Sequence, residues 1–308
     1  MEKKEGCPLD THTRVLVIGS ANADDLIHTD RMPCLGETRT GSGFTINAGG
    51  KGLNQAVALA KLGADTVFLG AVGDDEGGRM LLDTLTAHGI AFEGRVEADV
   101  PTGVAIVTVV GSDNFILLNA GANERLTPDA IREKASLIRQ ADYVVLQLEI
   151  PTDTVAAICA IAAESGTRVV LNPAPYKELP PDVYAATDYL IPNEHEAQAI
   201  TGISPATQED TAEAVRRLRA LGASTVIITL GERGCVYNDG EEIVFAPAAE
   251  SAAVDTTSAG DSFIGALVAR LSRGAALPNA IAYAARVAAI TVSRHGAARS
   301  IPYAHEVE

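Results

Sequence analysis

Two glycine-rich stretches each open a helix and each place a charged residue where a ligand would meet the backbone. The first is Asn47-Ala48-Gly49-Gly50-Lys51-Gly52-Leu53-Asn54-Gln55. Its glycines let a ligand approach the chain closely, and the helix start offers unpaired N–H groups. Lys51 adds a positive charge, and Asn54 adds a donor and an acceptor one turn on. A plain glycine turn before a core helix reads the same way. Gly52 follows Lys51 where a Walker P-loop needs Ser or Thr, so that motif is excluded. The second stretch is Asp255-Thr256-Thr257-Ser258-Ala259-Gly260-Asp261-Ser262-Phe263. Small residues before the helix leave bare N–H groups for an anion, and Asp261 falls in the first turn, where the helix dipole favours its ionised form. An ordinary acidic first turn is the plain alternative. The combination says more: phosphoryl transfer to an alcohol needs a carboxylate to accept the hydroxyl proton and N–H groups to stabilise the transferring phosphoryl.

These helix starts need a frame. Apolar runs at Val15–Gly19, Thr66–Val72, Tyr143–Leu148, Arg168–Asn172, Asp188–Ile191 and Thr225–Leu230 read as strands buried on both faces. Helical spacing appears between them: Leu53, Ala56, Val57 and Ala60; Ile264, Leu267, Val268 and Leu271; and the stretches Pro128–Gln140, Thr152–Ser165 and Thr207–Leu221. This alternation predicts a parallel sheet with helices on both faces. Two stretches break the rhythm. Asp24–Ile46 and Gly94–Ala120 read as antiparallel strands, the second with a hairpin turn at Gly111-Ser112-Asp113-Asn114. Together they predict a small sheet projecting from the core as a lid.

Composition narrows the function classes. A chain of 308 residues with 47% hydrophobic residues supports one large domain with an appendage. Against 40 Asp+Glu stand 24 Lys+Arg, a net charge of −16, which repels phosphate polymers and anionic membranes, so no nucleic-acid partner is expected. A small anion remains possible, because local dipoles and a bound cation override the global field at a site. Cys7, Cys34, Cys159 and Cys235 form no C-x-x-C pair, which suits free thiols in a reducing cytoplasm. Met1–Thr13 is polar, so no signal peptide is expected, and no apolar run is long enough to predict a membrane span.

The pair Gly49-Gly50-Lys51-Gly52-x-Asn54-Gln55-Ala56 and Asp255-Thr256-Thr257-x-Ala259-Gly260-Asp261-x-Phe263 resembles the two signatures of the ribokinase-like (PfkB-type) carbohydrate kinases. The resemblance extends from about Val15 to Pro302. Gly19-Ser20-Ala21-Asn22-Ala23-Asp24, Gly73-Asp74-Asp75-Glu76-Gly77, Asn119-Ala120-Gly121-Ala122-Asn123 and Asn172-Pro173-Ala174-Pro175 are similar to further stretches of that family. It implies a single catalytic domain over residues 1–308, a three-layer α/β/α fold with a mostly parallel central sheet, and a small β-sheet lid inserted at about 24–46 and 94–120. It also implies a cytoplasmic enzyme that transfers phosphate from ATP to O5 of D-ribose, and a homodimer formed through the lid. Asn22, Asp24, Gly50, Lys51, Asn54 and Glu149 are implied as the sugar-binding set, with Asp261 as the base and the N–H groups of Ala259 and Gly260 as the anion hole. Asn193 and Glu196, in Asn193-Glu194-His195-Glu196, match the family's N-x-x-E motif and are implied to touch nucleotide phosphates and water-bound Mg2+. Thr229, Gly231 and Gly234 match its nucleotide loop, with Gly260 close by. A K+ site is implied at Asp255, Thr257, Thr291, Arg294, Gly296 and Ser300, mostly through main-chain carbonyls.

Two departures stand out. Ser258 replaces the usual Gly or Ala, and its hydroxyl becomes a candidate phosphate contact. Leu53 replaces a common Ala and is expected to pack into the core. His28, His88, His195 and His295 show no catalytic pairing, and K+ does not favour the imidazole of His295. Within the family, deoxyribose, fructose, a keto-sugar acid or an adenosine-like nucleoside are the alternative acceptors. Deoxyribose would leave partners of the 2-hydroxyl unpaired, which is costly. A non-catalytic sensor is disfavoured by the retained Asp261. A dinucleotide oxidoreductase is disfavoured because no G-x-G-x-x-G follows the first strand.

Overall fold

The computed structural model describes residues 13–110 and 113–307. Cys7 and the predicted turn residues Gly111 and Ser112 lie outside them. Fifteen strands occur among the described residues: β1 (Arg14–Ile18), β2 (Asn22–Thr29), β3 (Ser42–Gly49), β4 (Asp65–Leu69), β5 (Ala71–Gly73), β6 (Ala91–Phe92), β7 (Arg95–Glu97), β8 (Gly103–Val110), β9 (Asp113–Asn119), β10 (Tyr143–Leu146), β11 (Arg168–Leu171), β12 (Tyr189–Leu190), β13 (Thr225–Thr229), β14 (Cys235–Asp239) and β15 (Glu242–Ala246). The α-helices are α1 (Lys51–Lys61), α2 (Glu76–Ala87), α3 (Pro128–Glu133), α4 (Ala135–Gln140), α5 (Thr152–Ser165), α6 (Pro181–Ala185), α7 (Glu194–Thr201), α8 (Gln208–Ala220), α9 (Ala259–Leu271), α10 (Leu277–Val292) and α11 (Ala297–Ser300).

Nine strands form the central sheet in the order β15-β14-β13-β12-β11-β10-β1-β4-β6. It is parallel from β13 through β6, as the alternation of elements predicts. In β1, Leu16 and Ile18 pack into one core layer, while Val15 and Val17 pack into the other. Side chains alternate across a strand, so a continuously apolar run supplies both layers. Helices α3 to α8 cover the first face, and α1, α2, α9 and α10 cover the second. Leu53 is fully buried in the second layer, as expected.

Four features differ from the sequence expectation. The run Thr66–Val72 is not one strand. It divides at Gly70 into β4, in the central sheet, and β5, which pairs with β7. Gly70 is where partners change: its carbonyl accepts from Arg95, and the ring of Phe68 lies against its α-carbon, leaving no room for a side chain. The stretch Pro128–Gln140 is two helices, because tight bonds from Lys134 N to Ile131 O and from Leu137 N to Lys134 O close the turn between them. At the sheet edge, β14 and β15 form an antiparallel hairpin. Asp239-Gly240 was its turn signal, with Gly240 at φ 59°.

The fourth difference lies in the small sheet, of order β3-β2-β8-β9. The outer pairs are antiparallel, but β2 and β8 run parallel, in register from Asn22 opposite Gly103. Both strands leave the core at the same end and point the same way. Of the stretch from Gly94 to Ala120, Arg95–Glu97 pairs with β5, and among the described residues only Gly103–Val110 and Asp113–Asn119 join this sheet.

Candidate active site

The turn after β1 fixes the floor of a cleft. Gly50, at φ 90°, and Gly52 come so close to residues 19–22 that a β-carbon on either would strike that backbone at 3.0 Å or less. Leu53 N donates to Ser20 O at 2.9 Å, which seats the start of α1 on the turn. Three strand ends therefore meet here: β1 through its turn, β10 through Glu149 just beyond it, and β2 at its first residue, Asn22. This is the carboxyl end of the parallel strands, where open α/β sheets bind ligands.

Glu149 ties the floor together. Its Oε2 accepts from Ser20 Oγ at 2.6 Å, from Lys51 N at 3.2 Å and from Asn22 Nδ2 at 3.4 Å. Asn123 supports the same turn, accepting from Ala21 N at 3.0 Å and donating to Asn22 Oδ1 at 2.8 Å. Asp24 on β2 lies against Gly49, where a β-carbon would clash with its carboxylate. Burial first, then the charges of Glu149, Asp261 and Asp25, push its pKa up to about 7. Asp24 Oδ1 is buried without a partner, and so is Asn54 Oδ1. Two orphaned acceptors in one polar pocket call for hydroxyl donors from a ligand.

Asp261 stands in the first turn of α9 and is nearly buried. Its Oδ2 accepts from Asn54 Nδ2 at 3.2 Å and its Oδ1 from Gln55 Nε2 at 3.0 Å. Burial raises its pKa and Glu149 adds to the rise, while Lys51, Gln55 and Asn54 pull the other way. Burial also disfavours the Lys51 ammonium, but Asp261, Glu149 and Glu196 outweigh it and hold its pKa above the ordinary lysine value. Lys51 thus lies within electrostatic reach of carboxylates on α9, beyond β10 and on α7. Before α9, Ser258 adopts φ 60°, the one non-glycine positive φ among the described residues, and its buried Oγ has no partner. Ala259 N is not bare as expected: it donates to Thr256 O at 3.2 Å, closing the turn. The N–H groups of Gly260 and Asp261 precede the first helical bond, from Ser262 N to Ser258 O.

At the expected nucleotide site, Asn193 caps α7 in a reciprocal box with Glu196. Asn193 N and Nδ2 donate to the Glu196 carboxylate at 2.8 and 2.9 Å, and Glu196 N donates to Asn193 Oδ1 at 2.9 Å. Burial raises the pKa of Glu196, partly offset by Asn193 and Lys51. Asn193 also bridges to Thr229, placing this box beside the predicted nucleotide loop. In that loop Gly231 faces open space, whereas Gly234 packs so tightly on Ala246–Ala248 that a side chain would clash.

The predicted cation residues fall into two connected segments, the turn before α9 and the stretch from the end of α10 through α11. Asp255 accepts from Thr257 N at 2.9 Å and from Gly296 N at 3.0 Å. Burial alone would raise its pKa, but these bonds outweigh it and hold the carboxyl below its ordinary value. Arg294 N donates to Thr291 O, and Ser300 Oγ donates to Ala297 O. Asp255 Oδ2 and Gly296 N join the two segments, and carbonyl and carboxylate oxygens are the hard donors that K+ favours. No group of three His, Cys, Asp or Glu among the described residues could hold a metal by itself.

The sequence did not single out Ser20, Gln55, Asn123, Gln147 or Asn172 as site residues. Their signal was an amide or hydroxyl at a buried position: Gln147 sits at the end of an apolar strand run, and Gln55 on a buried helix face. The Gly73-Asp74-Asp75 stretch is structural. Asp75 caps α2 through Gly78 N and binds Thr102 N and Oγ1 at 2.8 and 2.6 Å, tying α2 to the start of β8.

Known proteins resemble the chain over nearly its whole length. A ribokinase from Schizosaccharomyces pombe is 39% identical over 307 residues, covering 96% of this chain and 96% of that protein. A deoxyribokinase from Salmonella typhimurium is 35% identical, covering 94% and 95%. The chain spans about half, 54%, of a bifunctional ribokinase/ribose-5-phosphate isomerase A from Fructilactobacillus sanfranciscensis, at 36% identity. Among solved structures, a ribokinase from Arabidopsis thaliana complexed with ribose and ATP superposes with a TM-score of 0.91 at 31% identity, covering 96% of this chain and 98% of that one. The model of the pfkB family of carbohydrate kinases matches residues 12–304, and with it the chain belongs to that family.

Proposed function

We propose that this protein transfers the γ-phosphoryl group of ATP to O5 of D-ribose, giving D-ribose 5-phosphate and ADP. The observation that carries this reading is Asp261, held between two amide donors at the N-terminus of α9, a few residues from unpaired N–H groups. Asp261 accepts the O5 proton, O5 attacks the γ-phosphorus, and ADP leaves. The Gly260 N–H and the Lys51 ammonium stabilise charge on the transferring group. The orphaned oxygens of Asp24 and Asn54 accept ribose hydroxyls, and Glu149 and Asn22 complete the polar floor. Asn193, Thr229, Gly231 and Gly234 line the nucleotide path. Mg2+ would arrive with the ATP phosphates, held through water by Glu196, and would neutralise their charge. K+ would sit between the Asp255–Thr257 turn and the segment from Thr291 to Ser300, ordering the former.

Deoxyribose is the second acceptor to test, since a deoxyribokinase is among the relatives. Two orphaned buried acceptors favour the more hydroxylated sugar, because a missing hydroxyl leaves them unpaired. A coupled ADP-release assay with MgATP and KCl separates the acceptors. Turnover with ribose well above that with deoxyribose, fructose and nucleosides supports the assignment, and a preference for any other acceptor overturns it.

The small sheet acts as a lid in this reading. Side chains alternate across its strands, so Asp24 faces the cleft while Phe44, Ile46, Ile106, Phe115 and Leu117 are exposed on the other face. A second copy of the chain, pairing lid to lid, would cover this apolar face. A monomer mass in light scattering at micromolar concentration would refute the pairing. None of the helices in the described residues is long and apolar enough to cross a membrane, and a cytoplasmic site of action follows from the reaction and its substrates.

A further inference from the structure

Behind Asp261, three buried amides form a chain that ends on the backbone. Asn172 Nδ2 donates to Ile191 O at 2.9 Å. A carbonyl can only accept, so this bond fixes which end of the Asn172 amide faces the interior: its Oδ1 points to Gln55. On the other side, Gln147 Nε2 donates to Gln55 Oε1 at 2.6 Å. Gln55 is thereby left with only its Nε2 to offer forward. That nitrogen has two hydrogens and two acceptors, Asp261 Oδ1 at 3.0 Å and Asn172 Oδ1 at 3.4 Å. Gln55 and Gln147 have no exposed surface, and Asn172 has 7%. A flip of the Gln55 amide would set its oxygen against two oxygens away from water, which is costly.

We propose that Gln55, locked by Gln147 and Asn172, is a positioning residue that fixes the plane of the Asp261 carboxylate toward the acceptor hydroxyl. Asn54 grips Oδ2, but its own Oδ1 is kept for the ligand, so it must serve two partners. Gln55 serves Asp261 from the core side and stays in place when a sugar binds. Each carboxylate oxygen keeps a lone pair for the incoming hydroxyl. The charged groups facing Asp261 are Lys51 on α1, Glu149 beyond β10 and Asp24 on β2. Gln55 hydrogen-bonds through its side chain to Asp261, Asn172 and Gln147 and to none of these three, so a Gln55 variant leaves that charge set intact.

This inference rests on Asp261 being the base, and the experiment keeps the two apart. Gln55→Met preserves length and removes the amide. A donor that favours the ionised carboxylate is lost, so Asp261 holds its proton to higher pH. The acid limb of kcat/KM for ribose is expected to move up by about one pH unit. Turnover should fall by up to about 10-fold on the acid side of that limb, and should stay below the parent's on the plateau, where only the orientation of the carboxylate is lost. Gln147→Met frees the Gln55 amide to turn, and should move the limb the same way by less. An acid limb in the parent's place in the folded Gln55→Met protein, whatever its rate, overturns the proposal, because a packing role lowers the rate equally at every pH. If Gln55→Met does not fold, the limb of Gln147→Met decides in the same way. Asp261→Asn is measured alongside: near-normal turnover there removes the base itself, whereas an inactive Asp261→Asn with unmoved limbs removes only the role of Gln55.

Discussion

The two halves of the cleft are built from different material. On the proposed sugar side the surface is buried side chains: Asn22, Asn54, Gln55 and Asn123 are each anchored by interior partners, and Asp24 and Asn54 each keep one oxygen unsatisfied. On the proposed nucleotide side the buried Glu196 stands beside glycines that offer exposed backbone. Gly231 and Gly260 are exposed and face open space. A rigid polar pocket rejects a ligand that fails to pair its atoms. A glycine-rich loop instead accommodates phosphates through N–H groups that every residue type supplies. Side-chain replacement should therefore hurt the sugar side more than the nucleotide side.

The largest expected effect tests the place where the halves meet. Asp261→Asn should keep the fold and ATP binding yet lower turnover by at least about 100-fold, since a general base is lost. ATP affinity by calorimetry and turnover by ADP release check both parts. Normal ATP binding with lost turnover sharpens the comparison; equal loss of both would mean that Asp261 belongs to the nucleotide half.

Asp24→Asn comes next. Losing a charged acceptor should raise the KM for ribose by about 10- to 100-fold and leave that for MgATP near the parent's. The same change should stabilise the protein at alkaline pH. The folded-state pKa of Asp24 is raised to about 7 from 3.8, so the folded protein holds this proton more tightly than the unfolded chain does. Stability from this group is full below pH 4 and is lost as pH rises through 7. Melting curves of parent and Asp24→Asn should coincide near pH 4 and separate by pH 8, with the variant higher. Coincidence at both pH values would show that Asp24 carries no buried-charge penalty.

On the other side, Glu196→Gln preserves most of the capping box, because Gln also accepts from Asn193 N. It removes the charge proposed to orient Mg2+ through water, and kcat/KM for MgATP should fall by about 10-fold. An equal fall for ribose binding would place Glu196 in the sugar half.

The asymmetry also explains what could be read from the chain. Helix-opening glycines and Asp261 were legible because they form local stretches, and the parallel sheet because continuous apolar runs alternate with helices. The turn at Gly70 and the parallel pairing of β2 with β8 were not, since both depend on partners far along the chain: Arg95 for one, Gly103 for the other. The amide chain was hidden for the same reason. Gln55 lies next to a motif residue, but Gln147 and Asn172 reach it only after three strands and a helix assemble. Their legible trace was a polar residue inside an apolar pattern, which by itself names no partner.

The smallest effect concerns Ser258, where the two halves touch through backbone. A left-handed conformation costs a residue with a β-carbon roughly 1–2 kcal/mol, and Ser258 adds a buried hydroxyl with no partner. Glycine removes both penalties but loses more chain entropy on folding, so Ser258→Gly should raise the melting temperature by only about 1–2 °C. Strain retained at such a position suggests a task for the side chain. If the hydroxyl meets a phosphate, the stabilised variant should show a KM for MgATP raised about threefold, as expected for one neutral hydrogen bond, with that for ribose unchanged. A rise in melting temperature with unchanged kinetics would leave Ser258 as strain without a ligand role, and would mean that the nucleotide side reads ATP by backbone alone; a fall in melting temperature would show that the hydroxyl holds the turn together in the free protein.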